Sequence, residues 1–65
     1  PVGYARILAN QGNVLGHLGV FGDARDRLTR ARALFDANGD AESVAGVDEV
    51  LLSLAEAEAA AGEAD

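Results

Sequence analysis

The chain has no cysteine among its 65 residues, which excludes disulfides, thiolate metal sites and cysteine nucleophiles. Methionine, tryptophan and lysine are also missing, and the one proline stands at position 1. A chain that opens on Pro1 with no methionine anywhere reads as an excerpt or processed piece of a longer protein. No apolar run exceeds a few residues, far short of the roughly 20 that a membrane span takes. No cationic start followed by an apolar core marks a signal peptide. Bulky side chains are scarce as well. Apolar residues make up 49% of the chain, but 14 of them are alanine, leaving 18 larger ones. Burial in so small a scaffold barely offsets ordering entropy unless a staple or a partner helps.

What is present is acidic and unevenly spread. The net charge is −6, with 11 acids against five arginines. All five arginines fall in residues 1–33, whereas residues 34–65 hold nine acids and no base. This balance argues against sequence-independent nucleic-acid binding, which relies on neutralising phosphates. The arginines at 25, 27, 30 and 32 read as a solvated face, because Asp23/Arg27, Asp26/Arg30 and Arg32/Asp36 all have the i,i+4 spacing of helix-surface pairs.

Apolar spacing predicts three helices and no strand. Tyr4, Ile7, Leu8, Val14, Leu15 and Leu18 share a helical face, with Gln11 on the same stripe. The segment Gly19-Val20-Phe21-Gly22 breaks the pattern. A second stripe follows through Phe21, Ala24, Leu28, Ala31, Leu34 and Phe35, ended by Asn38-Gly39. Asp40 is placed to cap a third helix, with Val44, Val47, Val50, Leu51 and Leu54 along one side. Ala55 to Ala61 is alanine and glutamate only, and Gly62 is the expected stop. Short connections make neighbouring helices antiparallel. A glycine inside a helix costs about 1 kcal/mol relative to alanine, so Gly12 needs a reason. With Ala24 and Ala31 on the facing stripe, it marks a point where two backbones nearly touch. Gly12 and Gly16 also have the GxxxG spacing of membrane helix pairs, but Asn10, Gln11, Asn13 and His17 on the same segment exclude a membrane span.

The order large–small–large at Leu8, Gly12 and Leu15, a turn glycine at Gly19, then small–large–small at Ala24, Leu28 and Ala31 resembles the tetratricopeptide repeat. The family's helix-ending proline is absent, with Asp36 in its place. Leu34-Phe35 and Gly39-Asp40 resemble the ending of the longer variant found in large bacterial regulators. The pattern restarts at an offset of 43, where Leu51, Leu54, Ala55 and Gly62 align with Leu8, Gln11, Gly12 and Gly19, though Glu58 stands opposite Leu15. The resemblance implies an all-α fragment of a right-handed α-solenoid over residues 1–65. Residues 5–39 form one helix-turn-helix repeat, and 40–62 the first helix of the next. About three repeats are usual for stability, so the chain is expected to be marginal alone.

The resemblance also implies a function: a protein–protein interaction module, a scaffold or sensor segment of a larger bacterial regulatory protein. A peptide or protein partner would lie in a concave groove lined by first helices. Absent lysine beside abundant alanine and arginine fits a GC-rich bacterial genome, and the expected location is cytoplasmic. Asn10 and Asn13 fall where the family often carries peptide-clamping asparagines, whose amides both donate and accept hydrogen bonds. Ser53 and Glu56 are their counterparts in the next repeat, and Arg6 is placed to hold an acidic group. Ala9 stands where carboxylate-clamp members carry lysine, so capture of a C-terminal carboxylate is not expected. The rival reading is a self-association or packing element with no external ligand, through a homo-oligomer or stacking with flanking repeats.

Other chemistry finds little support. Asp36-Ala37-Asn38-Gly39-Asp40 copies the opening of a calcium-binding EF-hand loop, but Ala41 and Val47 stand where the loop needs glycine and a bidentate glutamate. A turn followed by a cap explains the same residues. His17 is the only histidine, so zinc lacks its other ligands. No hydroxyl sits in a nucleophile elbow, Glu56 and Glu58 point to different helix faces, and Gly16, Gly19 and Gly22 follow no strand and precede no lysine. No catalytic residue, metal or cofactor is expected, and the protein is read as a non-enzyme.

Overall fold

Two glycines set the connections. In the computed structural model, which describes residues 2–63, Gly19 and Gly39 have φ of +80° and +71°, the left-handed region that side chains disfavour. Each closes a helix with the same pair of hydrogen bonds. Gly19 N donates to Gly16 O at 3.1 Å and Val20 N to Leu15 O at 2.9 Å. Gly39 N donates to Asp36 O at 3.0 Å and Asp40 N to Phe35 O at 2.9 Å. This is the Schellman arrangement, which satisfies carbonyls that a helix end leaves free. The helices so delimited are α1 (Val2–His17), α2 (Phe21–Ala37) and α3 (Ala41–Glu63). No strand occurs among the described residues. The expected all-α class and the three-helix order are therefore present.

The loop that resembled a calcium site is occupied by capping. Asp40 Oδ1 accepts from Ser43 N at 3.1 Å, and its Oδ2 accepts from the Ser43 hydroxyl at 2.6 Å. Asn38 donates its side-chain amide to Leu34 O at 2.7 Å. The two Ser43 bonds stabilise the ionised carboxylate, so the Asp40 pKa lies below its ordinary value. A depressed carboxyl pKa adds stability that is complete above the unfolded-state value and lost as pH falls through the folded one. We therefore expect wild type to melt above Asp40→Ala at neutral pH, and the gap to close as the solution is acidified below the ordinary aspartate range. Thermal melts of the two proteins followed by circular dichroism across that range test this.

α1 and α2 pack as a hairpin, α3 packs on α2, and α1 and α3 barely meet. Residue pairs run in opposite order across both interfaces, which makes each antiparallel. Tyr4 and Gln11 reach Arg30 and Arg27, while Arg25 and Arg32 reach Glu58 and Asp48. The result is a slender body of 41 × 16 × 12 Å. Its core is small: Ala5, Leu8, Ala24, Leu28, Ala31, Phe35, Val47 and Leu54.

Gly12 touches α2 as expected, but the partner differs in part. A methyl group added there would stand 2.6 Å from Leu28 Cγ and 3.1 Å from the Ala24 carbonyl oxygen. Leu28 fills the space that Gly12 leaves, beside the Ala24 backbone. Ala31 is fully buried but is not among the atoms nearest Gly12. Gly16 has its own role, because a methyl there would meet Leu54 Cδ1 at 3.0 Å. The GxxxG pair thus admits one leucine from α2 and one from α3.

Three sequence expectations need correction. The apolar stripe of α1 is not all core: Leu8 is buried and Leu15 half-buried, but Tyr4, Ile7, Val14 and Leu18 are exposed. The helix turns Ile7, Val14 and Leu18 away from α2, because Ala5, Leu8 and Gly12 occupy the contact, and Tyr4 meets α2 only through its hydroxyl, which accepts from Arg30. Gly62 does not stop the third helix, which continues to Glu63 without a left-handed residue. Pro1, Ala64 and Asp65, part of the expected 1–65 unit, lie outside the described residues. Last, of the three i,i+4 ion pairs only Asp26–Arg30 forms, at 3.7 Å. Arg27 donates instead to Gln11 Oε1 at 2.8 Å, and Arg32 to both oxygens of Asp48 at 2.6 and 3.3 Å. Long arginine side chains on a central helix can reach either neighbour, and a planar carboxylate on α3 offers a two-point fit that Asp36 on the same helix does not.

Candidate functional site

Because α1 and α3 stand apart on α2, a groove opens between them. Its floor is Leu28 and Phe35, the two large side chains α2 buries. One depression of about 250 Å³ is bordered by Asn10 and Asn13 from α1 and by Ser43, Gly46 and Val50 from α3. An adjoining one of about 100 Å³ shares Asn13, Leu28 and Val50, and is closed by His17, Ser53 and Ala57. The helices present these residues by their periodicity. Asn10, Asn13 and His17 are spaced i, i+3, i+7, which puts them on one flank of α1. Val50, Ser53 and Ala57 have the same spacing on α3.

Of the five residues expected to line a groove, Asn10, Asn13 and Ser53 are brought together here, and all are exposed. Arg6 and Glu56 are exposed but line neither depression. The charge of Arg6 instead helps hold Asp40 ionised. His17, Ser43 and Gly46 were not foreseen. His17 was legible, since it continues the Asn10/Asn13 row by one helical step. Ser43 and Gly46 were not, because only the packing of α3 on α2 brings that end of α3 beside α1.

Chemically the groove is an apolar trough with uncharged polar edges. The asparagine amides and the Ser53 hydroxyl can donate to and accept from a peptide backbone, while Phe35, Leu28 and Val50 offer apolar contact below. A second hollow lies on the α1–α2 side, bordered by Asn10, Gln11, Val14, Leu15, Asp23 and Arg27. It is shallower in chemistry, since Arg27 is already taken by Gln11.

The ion pairs hold the groove's far wall. Arg32 to Asp48, and Arg25 to Glu58, tie α3 to α2 at two levels. Asp48 raises the Arg32 pKa first by its hydrogen bonds and then by its charge. Glu58, which weakened the second copy of the sequence pattern, has a structural use as the partner of Arg25. No group of three or more histidine, cysteine, aspartate or glutamate side chains is arranged to hold a metal among the described residues, and no helix among them is long and apolar enough to cross a membrane. Comparison with protein-family models, with curated proteins and with solved structures finds no match to this chain.

Proposed function

We propose that the chain is a non-catalytic protein–protein interaction module of the tetratricopeptide kind, serving as a scaffold or sensor segment in a larger bacterial, cytoplasmic regulatory protein. It takes an extended peptide from its partner into the groove between α1 and α3. The observation that carries this reading is the groove itself: an apolar floor of Leu28 and Phe35 with Asn10, Asn13 and Ser53 along its edges. The glycine contact at Gly12, the two short turns and the offset of 43 between α1 and α3 support the repeat reading. Backbone-directed asparagines favour a ligand whose own amides are unpaired, which describes an extended strand and not a folded helix.

Display of a random peptide library against the immobilised chain tests this. Enriched peptides should lose at least about tenfold in affinity on the Asn10→Ala/Asn13→Ala double variant, equivalent to about 1.4 kcal/mol, with helicity unchanged. Both side chains are exposed, so their removal leaves the core intact. Failure to enrich any peptide, or binding indifferent to both substitutions, would remove the groove from the function.

A further inference from the structure

Helix α3 carries six acids and no base, and the fold uses only two of them to hold α3 in place. Asp48 and Glu58 take Arg32 and Arg25 of α2. The remaining four, Glu42, Glu49, Glu56 and Glu63, stand seven residues apart. All four are exposed. Among the described residues none of them joins an ion pair or a side-chain hydrogen bond.

Seven residues are close to two helical turns, so the four glutamates form one row along α3. The row has a definite place. Gly46 follows Glu42 by four residues and precedes Glu49 by three, and Ser53 does the same between Glu49 and Glu56, so each is a neighbour of both on the helix surface. Gly46 and Ser53 form the α3 edge of the groove. The glutamates therefore stand just outside that edge, on the side away from the buried Val47 and Leu54. Across the groove α1 offers no acid, only Asn10, Asn13 and His17. Arg6 lies one turn before Asn10, at the end where its charge helps hold Asp40 ionised. No arginine lines either depression, so Glu49 and Glu56 overlook an apolar floor with no arginine facing them.

We infer that the groove's partner is a basic peptide: an extended segment in which apolar residues alternate with arginine or lysine. This rests on the groove reading above and names the chemistry of its ligand. Alternate side chains of a strand point to opposite faces. One set meets Leu28 and Phe35, and the other leaves the floor on stems long enough to carry a cation past Ser53 to Glu49 and Glu56. Those two glutamates lie about 10.5 Å apart along the helix, at 1.5 Å per residue, which a strand covers in about three residues. The net charge of −6 draws such a partner in, and the row fixes where its cations rest.

Three labelled seven-residue peptides test this on the whole chain by fluorescence polarisation. Each alternates leucine with one other residue: arginine, glutamine or glutamate. At about 0.1 M salt the arginine peptide should bind tightest and the glutamate peptide weakest, and at about 1 M salt the difference should vanish. Glu49→Gln/Glu56→Gln should weaken the arginine peptide by about three- to tenfold, the worth of two exposed ion pairs, and leave the glutamine peptide unchanged. Asp36→Asn removes an exposed acid that borders neither depression, and it should change neither peptide. Glu49→Arg/Glu56→Arg should reverse the ranking, and circular dichroism should show helicity kept in every variant, since all these positions are exposed. Equal binding of the three peptides that still falls with Asn10→Ala/Asn13→Ala would overturn the charge assignment and leave the groove standing. An equal loss in Asp36→Asn would reduce the attraction to net charge and overturn it as well. Binding of none of the three would also overturn it, and the groove would then be judged by the random peptide library alone.

Discussion

Gly12→Ala is expected to destabilise the protein, against the direction of helix propensity. Alanine in a helix interior gains up to about 1 kcal/mol over glycine, and at an open position that gain is realised. At Gly12 the added methyl would stand 2.6 Å from Leu28 Cγ, 3.0 Å from Leu28 Cδ2 and 3.1 Å from the Ala24 carbonyl oxygen. The clash falls on Leu28 Cγ, which sits too near its own backbone to swing aside without a change of rotamer, and the carbonyl belongs to the backbone of α2. The helices must separate locally, and forcing a methyl into a packed core costs about 1–3 kcal/mol. Gly46→Ala is the matched control, since nothing lies within 4 Å of the added methyl. It should raise stability by about 0.5–1 kcal/mol. Chemical denaturation of the two variants beside wild type measures both signs. A stabilising Gly12→Ala would mean that α1 and α2 are not in contact there.

Leu28→Ala is expected to cost more. Among the described residues Leu28 is the one large side chain that is fully buried, and it fills the space left by Gly12. It also forms part of the groove floor. Removing a buried leucine costs about 2–5 kcal/mol through lost transfer energy and the cavity left behind. A core in a scaffold below about 70 residues rarely supplies more than about 3–5 kcal/mol in total. The substitution should therefore abolish cooperative unfolding and leave low helicity without a melting transition, seen by circular dichroism. Retention of a sharp transition near the wild-type midpoint would show that the core lies elsewhere. Three of the eight core residues are alanine, so Leu28 carries a larger share of the buried volume than a leucine in a larger protein.

The local features were legible because short-range chemistry decides them. A glycine free to adopt positive φ ends a helix wherever it falls after an apolar stripe, and both Gly19 and Gly39 do so. Asp40 caps because its carboxylate reaches the N–H three residues on, a distance fixed by the chain. The second stripe, Phe21 to Phe35, became the buried side of α2 because that helix lies between two others and needs one continuous apolar face. For the candidate groove, the i,i+3 spacing of Asn10 and Asn13 was enough to put them on one flank of α1.

The sequence by itself determined three helices, their turns, the cap at Asp40 and the glycine contact, since each follows from periodicity or from the conformational limits of single residues. Only the tertiary structure decided which part of the α1 stripe is core, because Tyr4, Ile7, Val14 and Leu18 are as apolar as Leu8 and differ from it only in where α2 lies. It also decided that Arg25, Arg27 and Arg32 reach across to other helices. A charged side chain long enough to span two helices chooses its partner by the geometry of packing, and spacing along one helix carries no information about that.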